Sequence, residues 1–250
     1  MKRFGRGLKQ IFTHWLPNLL LVGGIVLLIQ IGLPWAAFLL VAISKWQIWR
    51  GGRKLWLRSL RDNGCDLVVA GASLVLMIIT VDDLSLMLGV AGLYYLWLIL
   101  IKPRSGPVWM AVQAGLCQLI GLTVVFLLGR SMPELAVLAL AWLVGAVAAD
   151  HLLAAHQEPA RAALTVIWGL LVAQFSWLFW RWLIIYSLVG ERILFPQAAL
   201  VITVFGYTFA NIYLDHARKR LGKVRLAEYV LLCAGLFVAI IIGTRWDIRL

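Results

Sequence analysis

The chain has 250 residues, of which 63% are apolar and 14% charged, against roughly 45–50% and about 25% in an average soluble domain. Mean hydropathy is +0.92. A soluble fold of this length leaves too much of its surface in water to hide so many apolar side chains. Ordinary Gly and Pro contents exclude collagen-like and disordered chains, and three cysteines cannot all be paired in a disulfide scaffold. A polytopic membrane protein remains. The net charge of +12 does not call for nucleic acid, because the cations sit in short segments beside apolar runs, where anionic headgroups account for them.

A bilayer-crossing helix needs about 20 mainly apolar residues. That ruler predicts an all-α transmembrane bundle, one integral membrane domain over residues 1–250, with about nine spans. They fall near 11–31, 34–50, 65–81, 84–101, 107–129, 134–154, 162–183, 196–216 and 226–244. The first follows a basic start that lacks a small-residue cleavage site, so it reads as retained. Only Ile31-Gly32-Leu33 joins it to the second, which requires a tight hairpin; Met1–Gly32 is long enough for a full crossing, the alternative being a pair that dips in and returns. Asp82-Asp83 divides the third span from the fourth. Pro34, Pro107, Pro133 and Pro196 stand where helices begin, where a missing N–H does least harm.

Lysine and arginine set the orientation. With the N-terminus cytoplasmic, the inner segments hold Lys2 to Lys9, Lys45 to Arg61, Lys102 with Arg104, Arg161, and Arg218 to Arg225. The outer side holds Arg130, Arg192, Arg245 and Arg249. Arg181 sits in an aromatic belt, Trp177 to Trp182. The expected location is a bacterial inner membrane, N-terminus in and C-terminus out. Cys65, Cys117 and Cys233 lack metal-ligand spacing and read as reduced packing residues.

Four groups of residues carry the candidate chemistry. From Arg53 onward, Trp56, Leu57 and Leu60 can lie in the interface while Arg53, Lys54, Arg58 and Arg61 reach anionic headgroups. The plainer account is a membrane-anchoring connector. Ionisable groups are costly inside a bilayer, and the acidic residues all lie outside the spans or within about one turn of an end; Lys45 can snorkel to the interface along its stem. Asp150-His151 and Asp215-His216 end the sixth and eighth spans. If the two pairs converge, they offer ligands for a divalent metal or a base acting on a lipid headgroup. The plainer account is polar span ends, with Asp215 paired to Lys219. In the eighth span Thr203, Tyr207, Asn211 and Asp215 form a polar stripe flanked by Gly206 and Ala210. Gln118 and Gln174 fall at the depth of Tyr207, so these amides, Thr203, Tyr207 and Asn211 line a ligand pocket or else bond helix to helix.

The Lys45–Asn63 stretch, together with Ile101-Lys102-Pro103-Arg104-Ser105, resembles a family of uncharacterised polytopic membrane proteins of candidate-phylum bacteria. The resemblance covers about the middle third of the chain and implies a membrane location, with no activity attached. No phosphate loop, G-x-S-x-G or H-E-x-x-H pattern occurs, and no cofactor is expected. The leading expectation is therefore a non-catalytic membrane component, its partners anionic bilayer lipid and another membrane protein, not nucleic acid. A small-solute or lipid transporter or flippase comes second, and a lipid-modifying enzyme with the Asp/His residues third.

Overall fold

The computed structural model describes residues 15–46, 59–180, 185–188 and 193–243. Among them are α1 (Leu16–Gln30), α2 (Pro34–Ser44), α3 (Gly64–Ile79), α4 (Leu84–Leu96), a π-helical turn (Trp97–Ile101), α5 (Pro107–Gly129), α6 (Glu134–Ala155) and α7 (Arg161–Trp180). A hairpin of β1 (Ile185–Leu188) and β2 (Ile193–Pro196) follows, then α8 (Gln197–Ala217) and α9 (Lys223–Gly243). A helix stands at each of the nine expected positions. Five are long and apolar enough to cross a membrane: α4 with its π turn, α5, α6, α7 and α8. The helices α1, α2 and α3 are apolar but shorter.

Local chemistry explains the boundaries. Helix α1 ends at Gly32, whose φ of +77° is a left-handed conformation that glycine adopts without strain. Gly32 N–H donates to Ile29 O and Leu33 N–H to Leu28 O, so the freed carbonyls are satisfied as the chain turns directly into α2. The tight hairpin expected at Ile31-Gly32-Leu33 is present. Asp83 caps α4 by accepting from the backbone N–H groups of Ser85 and Leu86, which is why Asp82-Asp83 breaks one apolar run into two helices.

The hairpin was not expected. Its antiparallel strands pair Ile185 with Pro196 and Leu188 with Ile193, in a segment that the sequence reading left as a connection after span 162–183. Ile185, Tyr186, Ile193 and Phe195 favour strand, but a run this short carries no signal that competes with the flanking helices. Arg181, assigned to the outer belt, lies outside the described residues.

Two apolar cores share α5 and α6. One gathers Ile25, Met77, Met87 and Tyr94 from α1, α3 and α4 against Cys117 and Ala148. The other gathers Leu122, Phe126, Val144, Val172 and Ile202 from α5 to α8. Cys65 and Cys117 are buried free thiols, as packing residues should be. Close helix approach in the second core depends on glycine. A Cβ on Gly145 would lie 2.7 Å from Val172, and one on Gly121 would lie 2.8 Å from Val144, too close for either neighbour to keep its place.

These approaches yield a paired prediction. Gly145→Ala should destabilise the protein by about 1–3 kcal/mol through overpacking. Gly71→Ala, where an added Cβ meets nothing within 4 Å, should be neutral or stabilising by up to about 1 kcal/mol because alanine favours helix. Thermal unfolding in one detergent checks both.

Candidate functional site

Charge is concentrated at the end of the bundle where α6 finishes and α7 begins. Asp150, buried in the last turns of α6, accepts from Arg61 Nε at 2.9 and 3.0 Å and from Arg161 Nε at 2.8 Å. Both guanidinium groups also donate through Nη2, and Thr165 Oγ1 stands 3.4 Å away. Arg161 is there because it opens α7, one short turn after α6 ends. Bidentate pairing of this kind is the strongest available to a carboxylate. Arg61, whose side chain is 48% exposed, thus also pairs with a buried acid of the bundle, a contact that its place in a basic segment does not announce. Arg53, Lys54 and Arg58 lie outside the described residues.

The expected Asp/His metal set is not assembled. Asp150 has both oxygens engaged by arginine. His151 Nε2 is 2.8 Å from Gln113 Oε1, so the ring donates there, while Gln113 Nε2 donates to the carbonyls of Ile101 and Arg104. Asp215 accepts from Arg225 Nη1 at 3.1 Å and Tyr229 Oη at 2.9 Å, both on α9, rather than pairing with Lys219. His216 is exposed. Among the described residues no group of three or more His, Cys, Asp or Glu side chains could hold a metal ion. Adjacent residues on a helix diverge by about 100°, so each pair sends its members to different neighbours.

A second ionic cluster was missed. Asp66, in the first turn of α3, accepts from Lys45 Nζ, from Lys102 Nζ at 2.9 Å and from Trp97 Nε1 at 3.3 Å. Lys45 is 6% exposed, so it is not snorkelling outward. Its charge is answered within the bundle. The sequence shows these residues only as three separate span-end charges, and nothing in their spacing pairs them.

The polar stripe of α8 borders a groove. An open groove of about 350 Å³ runs between α5, α6, α7 and α8, and Gln118, Thr203, Tyr207 and Asn211 all line it. Its walls are otherwise apolar, with Leu164, Ile167, Trp168, Leu171 and Phe175 from α7. Gln118 closes the inner wall: Nε2 donates to Ile202 O at 3.1 Å, and Oε1 accepts from Trp168 Nε1 at 3.1 Å. A Cβ on Gly206 would meet the Trp168 ring at 2.7 Å, so the glycine allows α8 to approach where a larger residue would not. Asn211 Nδ2 donates to Tyr207 O in its own helix. Thr203 Oγ1 is buried without a partner among the described residues. Gln174 is exposed and takes no part in the lining.

The groove's polar end lies just past α6. His156 lines it, and Arg218 Nη2 donates to His156 Nδ1 at 2.6 Å. Burial and the adjacent guanidinium both hold this imidazole below its ordinary pKa, which keeps the ring neutral and Nδ1 able to accept. Nearby, Tyr213 Oη donates to Glu158 at 2.9 Å. The sequence reading passed over His156 and Arg218 because they stand 62 residues apart. No family model matches the chain, and no curated protein or solved structure matches it either.

The two ionic clusters should differ sharply in weight. Asp66→Ala leaves buried Lys45 without its nearest countercharge, at a cost of about 3–5 kcal/mol. Arg61→Gln removes a side chain that is 48% exposed and leaves Arg161 on Asp150, so it should cost no more than about 1 kcal/mol. Melting of the two variants in the same detergent makes the comparison.

Proposed function

We propose that this chain is a multi-pass protein of a bacterial inner membrane that takes an amphipathic ligand from the bilayer into the groove between α5, α6, α7 and α8. It crosses nine times, N-terminus in and C-terminus out, as the distribution of lysine and arginine supports. The observation that carries the ligand reading is the groove itself. Ligand sites are concave and mainly apolar with a few converging polar groups, commonly upward of about 300 Å³. This one has Gln118, Tyr207 and Asn211 among apolar walls, with His156 at one end. Five helices long and apolar enough to cross a membrane support the reading that such walls lie at bilayer depth. The transporter or lipid-carrier reading therefore moves ahead of the accessory component. The enzyme reading is less favoured, because the acids it would use, Asp150 and Asp215, are held by arginine and tyrosine.

One observation favours the accessory role as a second reading. Helix α9 packs chiefly on α8 and leaves Val224, Leu231 and Val238 exposed, seven residues apart along one face suited to a partner helix in the membrane. The likeness to polytopic proteins of candidate-phylum bacteria is compatible with either role.

Topology is checked by a reporter at Leu250, which should be active only outside the cytoplasm; cytoplasmic activity overturns the nine crossings. The ligand reading is checked by Ala210→Trp, which puts an indole into the groove lining. Native mass spectrometry from mild detergent should show lipid retained by the parent protein and lost from this variant, with melting unchanged. Leu135→Trp, at a position 78% exposed, should retain lipid as the parent does. Equal retention by all three proteins overturns the groove as a ligand site.

A further inference from the structure

We propose that the groove's occupant is an anionic phospholipid, its acyl chain lying along α8 and its phosphate against Arg218. This rests on the ligand reading above and adds the chemical class of the ligand and the group that selects it.

Three observations converge. The first is length. From Leu214 to Thr203 the lining follows α8 over eleven residue-to-residue steps, about 16 Å at 1.5 Å per step. That is roughly half of the ~30 Å hydrocarbon thickness, the depth of one leaflet and of one lipid chain within it. The second is side access: Ile167, Leu171, Tyr207 and Tyr213 line the groove and are also exposed on the bundle's surface. A chain can therefore enter laterally from the bilayer, as a lipid would and a soluble solute would not.

The third is charge at one end only. Arg218 is exposed, and its hydrogen bond among the described residues goes to His156, a groove-lining side chain. No hydrogen bond joins Arg218 to the acids nearby, which accept from other groups: Asp215 from Arg225 and Tyr229, and Glu158 from Tyr213. Arg218 thus keeps donors for an incoming anion, and His156 fixes the guanidinium at the mouth. Lys219 and Arg220, both exposed, follow it. A planar guanidinium suits phosphate oxygens through paired N–H donors. An apolar slot one leaflet deep that ends at such a group fits an anionic lipid better than a zwitterionic one, whose cationic head meets repulsion there.

The full-length protein in a mild non-ionic detergent is titrated with phosphatidylglycerol, with phosphatidylcholine of the same chains, and with glycerol phosphate, and followed by native mass spectrometry. Phosphatidylglycerol should bind roughly tenfold more tightly than phosphatidylcholine, the scale of one charge-assisted contact. Arg218→Gln should remove that preference. Arg218→Lys should keep most of it, and Arg220→Gln should change it by less than about twofold, as for an exposed charge. Equal binding of the two lipids by the parent protein, with Ala210→Trp abolishing both, overturns the headgroup assignment and leaves the groove reading standing. A preference for phosphatidylglycerol that survives Ala210→Trp overturns both, because the lipid then binds elsewhere on the basic surface. Glycerol phosphate binding as tightly as the lipid overturns the lipid as occupant in favour of a free soluble phosphate. The parent comparison needs no variant to fold.

Discussion

A carboxylate removed from water must be answered, and in this protein the answer fixes how the helices are joined. Asp150 draws in Arg61, 89 residues earlier in the chain, and Arg161, eleven residues later. Asp66 does the same with Lys45 and Lys102. Each acid would be expensive alone in an apolar bundle, and each is matched by two cations and a neutral donor, Thr165 or Trp97. The result is a polar frame at one end of an apolar body. Hydrophobic packing has little directional preference, whereas these bonds tie particular helix ends to one another.

Above that frame, packing is set by residues that have no side chain. Gly121 lets α5 approach α6, and Gly145 lets α6 approach α7. Helix α7 follows α6 closely along its length and touches α8 much less. The groove is the space left by that divergence. Trp168 reaches across it to Gln118, with Gly206 making room for the ring. Site and scaffold are thus one arrangement: the indole that shapes a wall also bonds α7 to the central helix.

The frame and the groove also divide the polar residues between two tasks. Asp150, His151 and Gln113 are paired inward and rigidify the end of the bundle. His156 and Arg218 are paired to each other at the groove's mouth, where one partner still has donors to offer. Residues that look alike in the sequence, a run of acids, histidines and arginines at span ends, differ in what they face. That difference separates charge buried within the bundle from charge left at its surface.

By itself the sequence determined where the helices lie. Apolar runs, Pro34 and Pro107 at helix starts, Gly32 in a left-handed turn and Asp83 as a cap are local signals, read within a few residues, and the helices follow them. It also placed Gln118, Thr203, Tyr207 and Asn211 together, because depth along a helix can be counted at a fixed rise per residue. Gln174, placed at the same depth by that count, is exposed and outside the lining, because which side chains a groove encloses is set by how the helices pack. Only the tertiary structure decided that Arg61 bonds Asp150, that Lys45 is buried, and that His156 meets Arg218 at the end of a groove. Those pairings join residues from separate helices, and no local pattern carries them; they follow from which faces pack and which charges must then be neutralised.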